Sequence, residues 1–289
     1  MPPALGATVG DWLALGAGGE LTLLPRTSLL VRGAASGVSR EQPLAANVDT
    51  VLVCASLSAA LPLRRIERLL TLAWGSGATP VVVLTKVDLH PDPTAAVRQV
   101  QPHAPGVAIV CVAAGTGDVV ALAPYDVPGA TLGLLGASGA GKSTVVNALA
   151  GAALMDTGDV RDVDGKGRHT TTHRELLVLP SGAVVIDTPG LRGVALAGSV
   201  EALEQSFSDV ESLAAGCPFA DCAHAGEPGC AVQATIDAGD LSAARMDSWR
   251  HQQRELAWQA RRSDARLQAA ERAKWKSRHR EQRQRGGRP

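Results

Sequence analysis

The chain has 289 residues, room for one large domain or a medium one with attachments; 45% are hydrophobic but only 3% aromatic, so a core must be built from Val, Leu and Ala. The formal net charge of zero hides an asymmetry: from Trp249 onward Arg and Lys outnumber Asp and Glu by about three to one, and the remainder is acidic. No apolar run is long enough to span a bilayer, and no basic segment leads into an apolar one at the N-terminus. Five cysteines, three of them clustered with one histidine, argue for a metal site in a reducing compartment and against a disulfide framework, so a cytoplasmic protein without membrane contact is expected.

In chain order, "VDTVLVCAS" predicts a strand around 48–54, and "PLRRIERLLTLAWGSG" (62–77) an amphipathic helix closed by glycines. "TPVVVLTKVDL" (79–89) reads as a buried strand and a loop. "DPTAAVRQVQ" (92–101) reads as a helix with Asp92 as N-cap and Pro93 in its first turn. "GVAIVCVAAGTGD" (106–118) is another strand and turn, and "ATLGLLGASGAGKSTVVNALAG" (130–151) is strand, glycine loop and helix. Past a polar stretch rich in Gly and Asp, "RELLVLP" and "AVVIDTPG" are two strands joined by Pro-Ser-Gly. Strands alternating with helices imply an α/β domain with a mostly parallel sheet.

Gly136, Gly141, Lys142 and Ser143 fit G-x-x-x-x-G-K-[ST] between a strand and a helix. A phosphate-binding loop therefore spans Gly136, Ala137, Ser138, Gly139, Ala140, Gly141, Lys142, Ser143 and Thr144. Its glycines let backbone N–H groups face a phosphate, and the helix N-terminus adds partial positive charge. Lys142 can reach the β- and γ-phosphates and the Ser143 hydroxyl can ligate Mg²⁺. The bland alternative is a glycine-rich turn that binds nothing, but the pattern arises by chance in roughly one chain in a hundred of this length, before context is counted. Asp187 in "VVIDTPG" ends a strand, where it can hold the Mg²⁺ shell, and Gly190 can offer its N–H to a γ-phosphate.

Thr85, Lys86, Val87 and Asp88 form a second motif, "TKVD". Asp88 can accept from the ring N–H and the exocyclic amine of guanine, a donor pair that adenine lacks, while the stem of Lys86 covers the base. Standing alone these residues would be an ordinary strand-end loop. They end a strand at the same sheet edge as the phosphate loop, and the next strand ends in "AAGTGD" (113–118), like the loop that backs guanine in GTPases. The base-reading motif here precedes the phosphate loop by roughly fifty residues, a cyclic shift of the usual order.

Cys217, Cys222, His224 and Cys230 lie in "CPFADCAHAGEPGC". Three thiolates and an imidazole complete a tetrahedral shell, which suits one closed structural Zn²⁺ site; the alternative is a set of buried free cysteines. Cys54 and Cys111 sit in apolar strands and read as inert core residues.

The order of these motifs is that of the circularly permuted GTPases. "GKGRHTTTHREL" (165–176) resembles the switch I segment of the ribosome small subunit-dependent GTPase A family (RsgA), 217–230 resembles that family's zinc motif, and "EQPLAANVDTVLV" (41–53) resembles its entry into the GTPase domain. The resemblance runs from about Val9 onward. It implies a circularly permuted P-loop GTPase domain (46–195), a partial N-terminal OB-like β module (1–45) and a C-terminal helical zinc-binding domain with a basic tail (196–289). "VGDWLAL" and "ELTLLPRTSLLVR" resemble only the later part of the family's five-stranded RNA-binding barrel. Thr85 stands where many GTPases have Asn and Ala113 where Ser is usual, and both changes are expected to loosen the guanine loop.

The resemblance also implies an activity and partners. The expected protein is a monomeric GTP hydrolase that binds GTP and GDP with Mg²⁺, holds one Zn²⁺, and assists late maturation of the small (30S) ribosomal subunit through its 16S rRNA. Leu191 occupies the position of the water-orienting Gln of Ras-type enzymes and cannot hydrogen-bond water. The family motif points instead to His169 as the catalytic group and to Thr171 as the switch I ligand of Mg²⁺, though spacing alone does not choose among Thr170, Thr171 and Thr172. The tail from Trp249 reads as basic helix, with Trp249 and Trp258 packing on the zinc domain and Arg278 to Arg288 meeting rRNA phosphates. A second reading stays open: a non-catalytic, nucleotide-gated rRNA-binding adaptor.

Overall fold

The structure, a computed structural model, describes residues 6–32, 42–156, 175–187 and 199–263. Its centre is a six-stranded sheet of β5 (Thr50–Ser56), β6 (Thr79–Thr85), β7 (Ala108–Val112), β8 (Thr131–Gly136), β9 (Glu175–Val178) and β10 (Val184–Asp187), in spatial order β7-β6-β5-β8-β10-β9. All neighbours run parallel except β9 against β10. Side chains alternate along each strand, so one strand feeds two cores. Val51, Val53 and Ala55 of β5 face one core together with α1 (Leu63–Gly75) and α2 (Pro93–Val100); Leu52 and Cys54 face the other with α3 (Lys142–Ala150). Continuous apolar runs in β5, β6 and β8 are what a parallel sheet covered on both faces requires.

Asp92 caps α2 as its sequence suggests, its carboxylate accepting from the Ala95 N–H at 2.9 Å, with Pro93 in the first turn. The strand expected at 48–54 forms two residues later, at Thr50–Ser56; just before it Asp49 bonds by its backbone to Thr131 and Thr79, and its carboxylate accepts from the Thr131 N–H at 2.7 Å.

Before the sheet lie two antiparallel ribbons, β1 (Leu13–Leu15) with β2 (Leu21–Leu23), and β3 (Leu29–Arg32) with β4 (Gln42–Ala46). The second ribbon does not stand apart, since Leu30, Leu44 and Ala45 are buried in the same core as β5 and α1. After the sheet come α4 (Val200–Ser206), α5 (Ser208–Ala214), α6 (Ala231–Ala238) and the long α7 (Ala243–Ser263) around a small core of their own. Within α7, Trp249 is buried as expected, whereas Trp258 is 49% exposed and does not enter that core. No helix among the described residues is long and apolar enough to cross a membrane.

Candidate nucleotide site and metal cluster

The strand register brings the predicted motifs to one edge of the sheet. Gly136 ends β8 beside Cys54 of β5; Ser56 pairs with Thr85 of β6, and Thr85 with Val112 of β7; Asp187 pairs with Leu134. The phosphate loop, the TKVD turn, the Ala113–Asp118 turn and Asp187 therefore share the carboxyl edge of a parallel sheet, where α/β folds bind ligands.

The loop is shaped by close approach. Gly136 has φ 156° and its missing Cβ would fall 2.6 Å from the Cys54 carbonyl oxygen; Gly141 has φ 82° and would place a Cβ 3.0 Å from Thr85 Oγ1. Only glycine suits both positions. Gly141 caps α3, so the first turn of that helix, with Lys142, Ser143 and Thr144, points its free N–H groups at the loop. Lys142 Nζ donates to the carbonyls of Gly136 at 3.1 Å and Ala137 at 2.9 Å, which holds the ammonium over the loop. Beneath it Cys54 is buried and its thiol is pushed up to about 12, so it is an inert wall of the site. Cys111 is likewise raised by burial.

Lys86 adopts the left-handed region at φ 58°, rare for a long side chain and informative where it occurs at a site. The turn that follows, Val87–Leu89, is a single 3₁₀ turn that leaves Asp88 exposed at the sheet edge. Thr85 and Ala113, the two positions that depart from the usual guanine loop, are both hydrogen-bonded. Thr85, 1% exposed, donates its hydroxyl to the Ala140 carbonyl at 2.9 Å, so the end of β6 and the Gly136–Thr144 loop are pinned together. Ala113 exchanges two backbone bonds with Asp118, at 3.0 and 3.2 Å, and the Thr116 hydroxyl closes the same turn on the Ala113 carbonyl.

The second site is compact. The ligand atoms of Cys217, Cys222, His224 and Cys230 all lie within 4.8 Å of one another. Cys217 Sγ and Cys230 Sγ are 3.9 Å apart, and each is 3.5 Å from His224 Nδ1. A tetrahedral Zn²⁺ with ordinary bond lengths needs sulfur–sulfur edges of about 3.8 Å and sulfur–nitrogen edges of about 3.5 Å, so the residues fit that ion. Their surroundings are built for it. Cys230 sits at the N-cap of α6, where its sulfur accepts from the Gln233 N–H. Glu227 accepts from the N–H groups of Ala223 and Ala225, bracing the turn that carries His224 in a left-handed conformation at φ 55°. The His224 ring stands 5.8 Å from the Trp249 ring, and its carbonyl accepts from Arg250.

Residues 23–197 match the RsgA GTPase family. The chain belongs to the RsgA GTPase family. The small ribosomal subunit biogenesis GTPase RsgA of Streptomyces avermitilis is 51% identical over 274 residues, covering 92% of this chain and 74% of that protein. That of Opitutus terrae is 49% identical over 293 residues, covering 96% and 80%. The crystal structure of YjeQ from Thermotoga maritima is similar with a TM-score of 0.60 at 26% identity, over 86% of this chain and 84% of that one. YloQ, described as a circularly permuted GTPase, shares the fold at a TM-score of 0.54 and 20% identity, over 85% and 90%. This RsgA-family chain is thus a GTP hydrolase with a circularly permuted GTPase fold, and the sheet order shows where the shift lies: β6 and β7, whose ends carry the TKVD and Ala113–Asp118 turns, precede β8 in the chain and lie beyond β5 on one side of it in space.

Among the residues expected to act, those of the phosphate loop, Thr85 to Asp88 and Asp187 meet at one edge, and the four metal ligands meet at another place. His169, Thr171 and Gly190 lie outside the described residues, as do Leu191 and the tail beyond Ser263. One functional-looking cluster went unread in the sequence. Arg245 of α7 is 2% exposed and bonds to Glu67 of α1 and Asp209 of α5. Its partners are 178 and 36 residues away, and no spacing rule reaches that far.

Proposed function

We propose that the chain assists late maturation of the small (30S) ribosomal subunit in the cytoplasm, as a monomer that docks on 16S rRNA and hydrolyses GTP in response. The observation that carries the proposal is the pairing, in one frame, of a pre-shaped guanine-nucleotide edge with a Cys₃His cluster, in a chain about half identical to proteins named small ribosomal subunit biogenesis GTPases. In this reading the chain has three parts: an OB-like module over 1–45, whose second ribbon shares its core with the sheet, the GTPase domain over 46–195, and the zinc-binding helical domain over 196–289.

In this reading Asp88 selects guanine and the Lys86 stem covers the base. The N–H groups of Gly139 to Ser143 and the Lys142 ammonium take the β- and γ-phosphates. Ser143 and Thr171 would hold the Mg²⁺ that comes with GTP, with Asp187 supporting its shell and the Gly190 N–H meeting the γ-phosphate, and the ion would supply neutralisation of developing phosphate charge. Zn²⁺ on Cys217, Cys222, His224 and Cys230 is structural, since all four positions of its shell are filled by protein. Leu191 cannot hold the attacking water, and the likeness to the family's switch I motif assigns that task to His169 in this reading. Turnover should be slow alone and rise when the subunit sets His169 in place, a positioning effect worth roughly a hundredfold or more.

The test is phosphate release titrated with purified 30S subunits. Wild type should be stimulated, while His169→Ala should keep GTP affinity and lose most of the stimulation. Nucleotide-dependent subunit binding with no stimulated release would replace the enzyme at the subunit by an adaptor. Full stimulation of His169→Ala would move the water-positioning role to another group.

A further inference from the structure

Helix α7 bonds in both directions on successive turns. At its start, Arg245 Nη1 donates to Glu67 Oε1 of α1 at 2.9 Å, and its Nε and Nη2 donate to the Asp209 carboxylate at 2.6 Å each. Nη2 also donates to the Ser206 carbonyl at 2.9 Å, and the guanidinium lies 4.4 Å over the Phe207 ring. Glu67 is 1% exposed and is shared with His103 Nδ1 at 2.6 Å. One turn on, Trp249 and Arg250 hold His224 of the metal cluster, and Trp249 Nε1 donates to Glu211 at 2.9 Å. Further along, Glu255 takes a two-pronged bond from Arg68 of α1 at 2.6 and 2.7 Å.

Helix α1 faces the nucleotide edge as well. Its Arg65, Ile66 and Leu69 line a cleft of about 330 Å³ whose other wall includes Ala137, Ser138 and Gly139 of the phosphate loop. A single helix thus touches both the metal cluster and the element beside the phosphates. The joint is stiff, because withdrawing Arg245 would leave the Glu67 carboxylate, 1% exposed, with only the His103 ring as a side-chain partner, and would strip the half-buried Asp209 of its two-pronged bond.

We propose that α7 is a coupling strut with Arg245 as its pivot: order in the Cys₃His cluster sets α1 against the phosphate loop, so metal and guanine nucleotide bind with positive linkage. The inference rests on the zinc and GTP reading above. Linkage of this kind is reciprocal, so each ligand must tighten the other by the same factor.

The full chain is used throughout. GDP affinity is measured with a fluorescent GDP analogue on zinc-loaded protein and after zinc withdrawal, and zinc affinity by competition with a chromophoric chelator, with and without GDP. The expected linkage is roughly fivefold or more in both directions. In Arg245→Met it should fall to about one, with both ligands still bound. Because Arg245→Met strands the buried Glu67 carboxylate, the pair Arg245→Met with Glu67→Gln is measured too, and the same loss is expected. Wild type that binds both ligands without linkage overturns the strut, and so does linkage that survives in both variants. Wild type that fails to bind GDP, or holds no zinc, overturns the underlying reading instead and the strut with it.

Discussion

The nucleotide edge and the C-terminal unit are held together by different forces. The first is main chain pressed against an apolar interior. Twenty-one and sixteen buried residues form the cores on the two faces of the sheet, and the phosphate loop closes over Cys54 and Thr85 through contacts that only glycine permits. Among the described residues, the second has nine buried residues in its core, two of the four metal ligands packing at its margin, and relies on Arg245, Trp249 and Arg250 for attachment. Nine buried residues make a small core, and a bound metal is a staple that small cores use. The difference teaches that the nucleotide edge should survive chemical insult to the rest, while the C-terminal unit should not.

The largest effect should come from within the phosphate loop and stay there. Lys142→Ala removes the ammonium held over Gly136 and Ala137. Nucleotide affinity should fall by roughly a hundredfold or more, since a charge-assisted phosphate contact inside a formed site is lost. Zinc content by metal analysis should remain one per chain. Loss of zinc in this variant would mean the two regions do not hold together by separate means.

Withdrawal of zinc is the converse. The Cys₃His turn contributes folding energy only with its ion bound, so chelation should melt α6 and the turn before it while the sheet persists. Circular dichroism should show two transitions after chelation, the lower one vanishing when zinc returns. Guanine nucleotide should still bind, weakened only by the linkage factor of the strut. A single transition unaffected by chelator would mean that the nine-residue core suffices by itself.

The same contrast explains what could be read in advance. The phosphate loop, the TKVD turn and the Cys₃His cluster are contiguous strings whose spacing is their chemistry, and the parallel sheet follows from apolar runs of the right length. Thr85 looked like a weakening because the usual residue there is absent. Its compensation depends on the Ala140 carbonyl 55 residues away, which no local pattern encodes. Arg245 was hidden differently. In a basic helix an arginine is expected to face water, and only the fold reveals that Glu67, Asp209 and the Phe207 ring surround it.

Thr85 provides a finer test within the nucleotide edge. Thr85→Val keeps the shape and deletes the hydroxyl, removing one buried hydrogen bond to the loop, worth about 1 to 3 kcal/mol if the Ala140 carbonyl is left unpaired. GDP should dissociate roughly five- to a hundredfold faster in stopped flow, with thermal stability of the sheet little changed. Thr85→Ser should restore slow release. Equal release rates for wild type and Thr85→Val would show that packing alone fixes the loop.

The smallest effect concerns the first ribbon, which is fastened by charge like the C-terminal unit but in miniature. The Asp11 side chain is 0% exposed and takes a two-pronged bond from Arg26 at 2.7 and 2.8 Å, plus the Thr8 N–H at 2.6 Å. The Arg26 guanidinium holds the Asp11 carboxyl below its usual range, outweighing the burial that pushes the other way. Folding therefore favours the ionised form. The resulting stability is fully present above the unfolded carboxyl's titration range and drains away as pH falls through the lowered folded value. Below that value Asp11 is protonated in both states and the pair contributes nothing. Hydrogen exchange of residues 8–26 should accelerate as pH drops below about 4, after correction for intrinsic rates, while that of β5 and β6 does not. Asp11→Asn should show the fast exchange at neutral pH and lose the acid response, with an overall cost of about 1 to 2 kcal/mol confined to the ribbon. Exchange in Asp11→Asn that still steepened on acidification would place the acid-sensitive group elsewhere in the ribbon.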